Sequence, residues 1–304
     1  MTGKYIIIEM TNGSGKTTAI NAAIKKAKEY GHEPVFLKTP SEKNAAACRH
    51  TRNPDKIALA KINALDKAEA SIKAYILTRE GFDVLQDRGL ISALMYNGLD
   101  DIPFEETKSL IAKATFKILK DPRHLKELVD EVADTQTEQG YQPKQKYNGK
   151  ISDLQEELID HITILSECIA TEGLIMPDMV IIPQTDMKLV ENNLKARLKN
   201  GEKLDGYEER HKEEVDMFKQ SVEAYKTFGG KFHLINTLFG KAPEEYAEPP
   251  GPEFFEKTIQ HTAGMIIKDL EKTTPPTDEE IMAAFEKATP LTAEQNAENL
   301  TPEA

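Results

Sequence analysis

Tyr5-Ile6-Ile7-Ile8-Glu9-Met10-Thr11-Asn12-Gly13-Ser14-Gly15-Lys16-Thr17-Thr18 is the stretch whose reading decides the fold. Its first residues are aromatic or β-branched, which predicts a short strand. Met10 to Gly15 is small and polar. From Lys16 onward, Ile20, Ala23, Ile24 and Ala27 recur at helical spacing, and Gly31 supplies a stop. A strand, a glycine loop and a helix in that order aim several backbone N–H groups at one point. The helix N-terminus adds partial positive charge there. Phosphate oxygens suit such a point. Lys16 can reach the β- and γ-phosphates of a nucleoside triphosphate, and the Thr17 hydroxyl can ligate Mg²⁺. Gly13, Ser14, Gly15, Lys16, Thr17 and Thr18 are therefore the expected ATP contacts. The regular motif has a further glycine six residues before the lysine, where Met10 stands here. A Gly/Ser turn capping an ordinary helix is the competing reading. The strand before the loop and the helix after it favour the phosphate reading.

Further short apolar runs follow at Val35-Phe36-Leu37, Val84-Leu85, Met179-Val180-Ile181-Ile182 and Phe232-His233-Leu234-Ile235. A long helix-compatible segment precedes each. Strands alternating with helices predict βαβ units and a five-stranded parallel α/β sheet flanked by helices. Residues 101–170 break the alternation and are expected to form a helical insertion. Phe104 to Leu119 and Ile151 to Ile169 read as amphipathic helices, with a polar turn around Gly140 to Gly149 between them. The core is thus expected from residues 1–100 and 171–270. Residues 271–304 carry eight acidic and two basic residues, half of the chain's net charge of −12, and read as a weakly ordered tail.

An acidic chain lacks the electrostatic footprint of a duplex-DNA binder, while a local basic cluster still serves a small phosphorylated ligand. No apolar run approaches the length of a membrane span, and no signal-peptide pattern precedes the first strand. Cys48 and Cys168 have no metal-ligand spacing and no disulfide framework, so a reducing cytoplasm is expected. The seven histidines show no paired spacing.

A second motif, Asp87-Arg88-Gly89-Leu90-Ile91-Ser92, ends the third strand-like run and is followed by Met95-Tyr96-Asn97-Gly98. A carboxylate at the end of a parallel strand can hold Mg²⁺, and an adjacent arginine can grip phosphate in a fork. With the phosphate loop, this segment resembles the thymidylate kinase family: the Asp-Arg signature, the serine and the Tyr-Asn-Gly lie at the family's spacing. A third match runs from Pro177-Asp178-Met179-Val180-Ile181-Ile182 through Asp186, Leu189, Leu194 and Arg197 to Leu204-Asp205-Gly206-Tyr207-Glu208. It looks like the family's fourth strand and lid. Phe218 and Tyr225 resemble positions of the family's next helix, and Phe232-His233-Leu234-Ile235-Asn236 resembles its last strand. The resemblance covers most of residues 1–100 and 175–270.

The resemblance implies a P-loop kinase fold that transfers the γ-phosphoryl group of ATP to a deoxynucleoside monophosphate in nucleotide biosynthesis. It implies Mg²⁺ at Thr17 and Asp87, catalytic roles for Lys16, Arg88 and the lid residue Arg197, and a nucleotide as partner. Lys199 and Arg210 are the alternatives to Arg197. A homodimer is compatible with the resemblance. The expected acceptor contacts are Asn12, Lys38, Asn63, Lys67, Arg88, Ser92, Tyr96 and Asn97. Several of these depart from the family. Asn12 replaces an acid, Lys38 and Lys67 replace arginines, and Asn63 falls where an aromatic stacks on the base. Lysine keeps the charge and loses the fork. These changes fall on the acceptor side alone and predict a thymidylate-related or modified pyrimidine nucleotide. Two other functions compete: a kinase of a base or end within DNA, and a nucleotide-binding regulatory module with weakened catalysis.

Overall fold

The Tyr5–Ile8 run forms the central strand β1 because its alternate residues bury against different layers. Ile6 and Ile8 pack with Ile20, Ala23 and Ala27 of helix α1 (Lys16–Glu29). Tyr5 and Ile7 face the larger core, with Ile72, Ile76 and Leu77 of α3 (Lys56–Arg79) and Ile91 and Leu94 of α4 (Leu90–Leu99). A strand buried on both faces reads as a continuous apolar run, as this one does. The computed structural model describes residues 3–12, 16–29, 31–50, 55–169, 171–184, 187–201, 210–230 and 232–236. Two units, Met1–Thr273 and Thr274–Ala304, divide the chain, and all described residues belong to the first. The acidic tail and residues 202–209 of the lid segment lie outside the described residues.

The remaining strands are β2 (Pro34–Lys38), β3 (Asp83–Asp87), β4 (Met179–Gln184) and β5 (Phe232–Asn236). They lie in the order β2-β3-β1-β4-β5, and every pairing is parallel. The architecture is therefore α/β, a parallel sheet flanked by helices. Register decides what meets at its carboxyl edge. Ile8 of β1 and Lys38 of β2 both pair with Asp87 of β3, and Ile8 pairs with Ile181 of β4. Residues just beyond these positions, Glu9 to Asn12, Thr39 and Arg88, are thus delivered to one place. Parallel α/β sheets bind ligands at this edge.

Between β3 and β4 run α4, α5 (Phe104–Leu119), α6 (Pro122–Glu138) and α7 (Ile151–Ile169). Residues 101–170 thus hold helices at the two expected stretches and a third, α6, that periodicity alone did not single out. Helix α6 starts at Asp121, whose carboxylate accepts from the backbone N–H groups of Arg123 and His124 at 3.0 and 3.4 Å, with Pro122 at the first helical position. Helices α6 and α7 share the main core: Leu125, Leu128, Leu154 and Leu158 pack in the same cluster as Ile7 and Ile72. After β4 come α8 (Met187–Lys199) and α9 (His211–Thr227). Helix α9 lies close to α4, where a Cβ added at Gly98 would come within 2.6 Å of Met217 Sδ. Helix α2 (Glu42–His50) follows the cis Thr39–Pro40 bond. No described helix is long and apolar enough to cross a membrane.

Candidate functional site

The carboxyl edge is organised by a residue to which the sequence reading assigned no role. Glu9, the first residue beyond β1, has 0% exposure. Its Oε1 accepts from the backbone N–H groups of Gly89 at 2.6 Å and Ser92 at 3.2 Å, and its Oε2 accepts from the Ser92 hydroxyl. A carboxylate in the first turn of α4 satisfies orphan N–H donors and complements the helix dipole. Glu9 therefore welds the start of α4, and the Asp87-Arg88 turn before it, to the head of the phosphate-loop sequence.

Arg88 is the centre of the arrangement. Its φ of 71° puts a non-glycine residue in the left-handed region, at a cost of about 1–3 kcal/mol that persists only where surroundings enforce it. The enforcement is visible. The Arg88 N–H donates to Ile8 O at 3.1 Å, and its carbonyl accepts from Gln86 Nε2 at 2.7 Å. Gln86 is held in turn by the Tyr5 hydroxyl at 2.8 Å. Thr39 Oγ1 lies 2.8 Å from Arg88 O and 3.0 Å from Asp87 O and donates to that pair. The side chain so aimed donates from Nη1 to the Tyr96 hydroxyl at 2.5 Å and from Nη2 to Asn12 Oδ1. Its guanidinium lies 5.3 Å from the Tyr96 ring centroid. Burial works against the charge of Arg88, but Tyr96, Asp87, Glu9 and Glu214 outweigh it and raise the pKa above the ordinary value. A held, charged fork beside a strand-end carboxylate is suited to an anionic oxygen pair.

A second cation approaches from α3. Lys67 Nζ donates to Thr39 Oγ1 and stands 4.0 Å from Asp66 Oδ2. Burial lowers its pKa most; Asp66, Glu9 and Asp87 oppose that shift and Arg88 adds to it. Asp66 is itself buried and holds the entry to α2, accepting from Ser41 N and Asn44 Nδ2, both at 2.8 Å. Beneath Lys67 lies a cavity of about 30 Å³ lined by Tyr5, Ser71, Gln86 and Gly89 among others. That volume suits one or two waters, not a ring the size of a nucleobase.

Asn12, Arg88, Tyr96 and Lys67 are thus brought together with Asp87. Ser92 is adjacent but buried, with its hydroxyl committed to Glu9. Lys38 is exposed at the end of β2, and Asn63 is half-buried on α3 one turn before Lys67. Asn97, expected among the acceptor contacts, is placed differently. It is buried and donates to Thr107 Oγ1 at 3.2 Å, because its position on α4 faces α5. Arg197 is partly exposed in the last turn of α8, and Arg210 donates to Glu213 at 2.6 Å and to Leu99 O at 3.3 Å. Gly13 to Gly15 lie outside the described residues, as do the side chains of Lys16, Thr17 and Thr18; the backbone of these three opens α1. Among the described residues, no group of three or more His, Cys, Asp or Glu could hold a metal by itself. Comparison with protein-family models and with curated proteins gives no match for this chain.

Glu9, Thr39, Asp66 and Glu214 are the participants that sequence reasoning missed. Glu9 carries a faint signal, an acid within an otherwise apolar strand end. The other three act across 22 to 202 positions of chain, as with Asn44 to Asp66 and Asn12 to Glu214.

Proposed function

We propose that the chain is a P-loop kinase that transfers the γ-phosphoryl group of ATP to a deoxynucleoside monophosphate, thymidylate or a related or modified pyrimidine nucleotide. One observation carries the reading. The Arg88 guanidinium is held between Asn12 and Tyr96 beside Asp87, next to the loop whose sequence is Gly13-Ser14-Gly15-Lys16-Thr17. Phosphoryl transfer needs positioning and charge stabilisation more than covalent chemistry, and this site offers both.

In this reading the loop N–H groups and Lys16 hold the β- and γ-phosphates of ATP. Thr17 and Asp87 would hold Mg²⁺, which supplies charge neutralisation at those oxygens; the buried strand-end carboxylate of Asp87 fits that role. Arg88, with Lys67 behind it, grips the acceptor phosphate. An acceptor phosphate oxygen attacks the γ-phosphorus, the bond to the β–γ bridging oxygen breaks, and ADP leaves with that electron pair. Arg197 on α8 is the candidate for stabilising the transferred group. Asn12 and Tyr96 would flank the sugar, and Asn63, one turn before Lys67 on the same face of α3, would meet the base.

The acceptor is tested by assaying phosphorylation across natural and base-modified deoxynucleoside monophosphates. A preference broader than thymidylate, or for a base with an extra polar group that Asn63 can bond, is expected. A single optimum at thymidylate, with all others at least about a hundredfold poorer in kcat/KM, restores an ordinary thymidylate acceptor.

A further inference from the structure

We propose that Glu214, on α9, is a positioning residue for the acceptor end of the site, acting through the backbone of Asn12 on the Arg88 fork; the inference rests on the proposed kinase activity. Glu214 has 0% exposure. Its Oε1 accepts from the Asn12 N–H at 2.9 Å. The Asn12 side chain in turn accepts from Arg88 Nη2, and Arg88 Nη1 donates to Tyr96. A single line of contacts therefore runs from α9 through the head of the phosphate loop to the fork and on to α4.

Packing alone does not call for a carboxylate at this position. Helix α9 already meets α4 through apolar contacts, with Met217 against Gly98, and Tyr225 and Phe228 lie in the main core. An apolar side chain at 214 would serve docking without the desolvation that a buried charge incurs. The carboxylate adds a strong acceptor for the Asn12 N–H, whose own residue touches the fork. It also contributes to the charges that hold Arg88 protonated, with Tyr96, Asp87 and Glu9. Asn12 rotates if its N–H loses that partner, and Arg88 then loses the partner that fixes its second amine.

The test compares Glu214→Leu, Glu214→Gln and Met217→Ala in the full chain. Glutamine keeps a carbonyl oxygen for the Asn12 N–H, whereas leucine keeps only the packing. Glu214→Leu is expected to raise KM for the deoxynucleoside monophosphate about tenfold or more, with KM for ATP within about twofold, and Glu214→Gln to recover most of that loss. Met217→Ala is expected to lower the melting temperature with acceptor KM unchanged. An acceptor KM in Glu214→Leu equal to wild type overturns the inference, as does a Glu214→Gln variant no better than leucine. Absence of turnover in the wild type refutes the kinase reading separately. The same variants are then read by NMR from the Asn12 amide and the Arg88 guanidinium. Both signals displaced in Glu214→Leu and restored in Glu214→Gln support the relay; unchanged signals overturn it.

Discussion

Glu9→Ala is the perturbation whose consequence the geometry defines most sharply. The change removes the acceptor of three donors, Gly89 N at 2.6 Å, Ser92 N at 3.2 Å and Ser92 Oγ, around a residue with 0% exposure. An unsatisfied buried donor costs roughly 1–3 kcal/mol. The carboxylate at the start of α4 adds about 0.3–1 kcal/mol through the helix dipole. Relief of the buried charge offsets part of this, since removing an ion also removes its desolvation cost. A net loss of about 3–5 kcal/mol is expected, at the high end for a single substitution. Glu9→Gln is different. Its Oε1 still accepts both N–H groups, and the Ser92 hydroxyl can turn to accept from the amide, so the loss should be about 1 kcal/mol. Urea unfolding followed by circular dichroism measures both. A Glu9→Ala variant within about 1 kcal/mol of wild type would refute the reasoning. Equal losses in the two variants would show that charge, not the three bonds, is what the position supplies.

Arg88→Lys should impair acceptor use nearly as much as Arg88→Ala, by about ten- to hundredfold in kcat/KM, since lysine cannot span Asn12 and Tyr96 together; steady-state kinetics with a lysine variant close to wild type would contradict the fork. Lys16→Ala should lower turnover by orders of magnitude with an unchanged circular-dichroism spectrum, and retained turnover would remove Lys16 from the phosphate site. His161, whose ring lies tilted against Tyr75 with centroids 4.9 Å apart, has its pKa lowered by burial and by Arg79, with Glu157 opposing. The unfolded chain then binds the proton more readily than the folded one, so stability is full above the ordinary histidine value of about 6.5 and is lost as pH falls below it toward the folded pKa. His161→Phe should flatten that part of the stability profile relative to wild type, and an unchanged acid slope would exclude this residue.

The parallel sheet was legible because β1 is buried on both faces and shows it as an uninterrupted apolar run from Tyr5 to Ile8. Helices α5 and α7 were legible from their amphipathic periodicity, and both run between the expected residues, Phe104–Leu119 and Ile151–Ile169. Helix α6 escaped notice although Asp121-Pro122 is a start signal. The site was half legible. Asp87 and Arg88 stand in a local motif, so register alone carries them to the end of β1. Glu214 and Asp66 have no local motif; their partners lie 202 and 22 to 25 positions away, and only the folded chain brings them together. Asn97 shows the converse. Its spacing from Arg88 fits an acceptor contact, but the turn of α4 points it at Thr107.

The central claim is tested most directly by incubating the full chain with ATP, Mg²⁺ and each deoxynucleoside monophosphate in turn, and following ADP release with the nucleoside diphosphate identified as product. The account predicts acceptor-dependent ADP release with at least one pyrimidine nucleotide, stoichiometric with diphosphate and lost in Lys16→Ala. ADP release no greater with any acceptor than with ATP alone would contradict it.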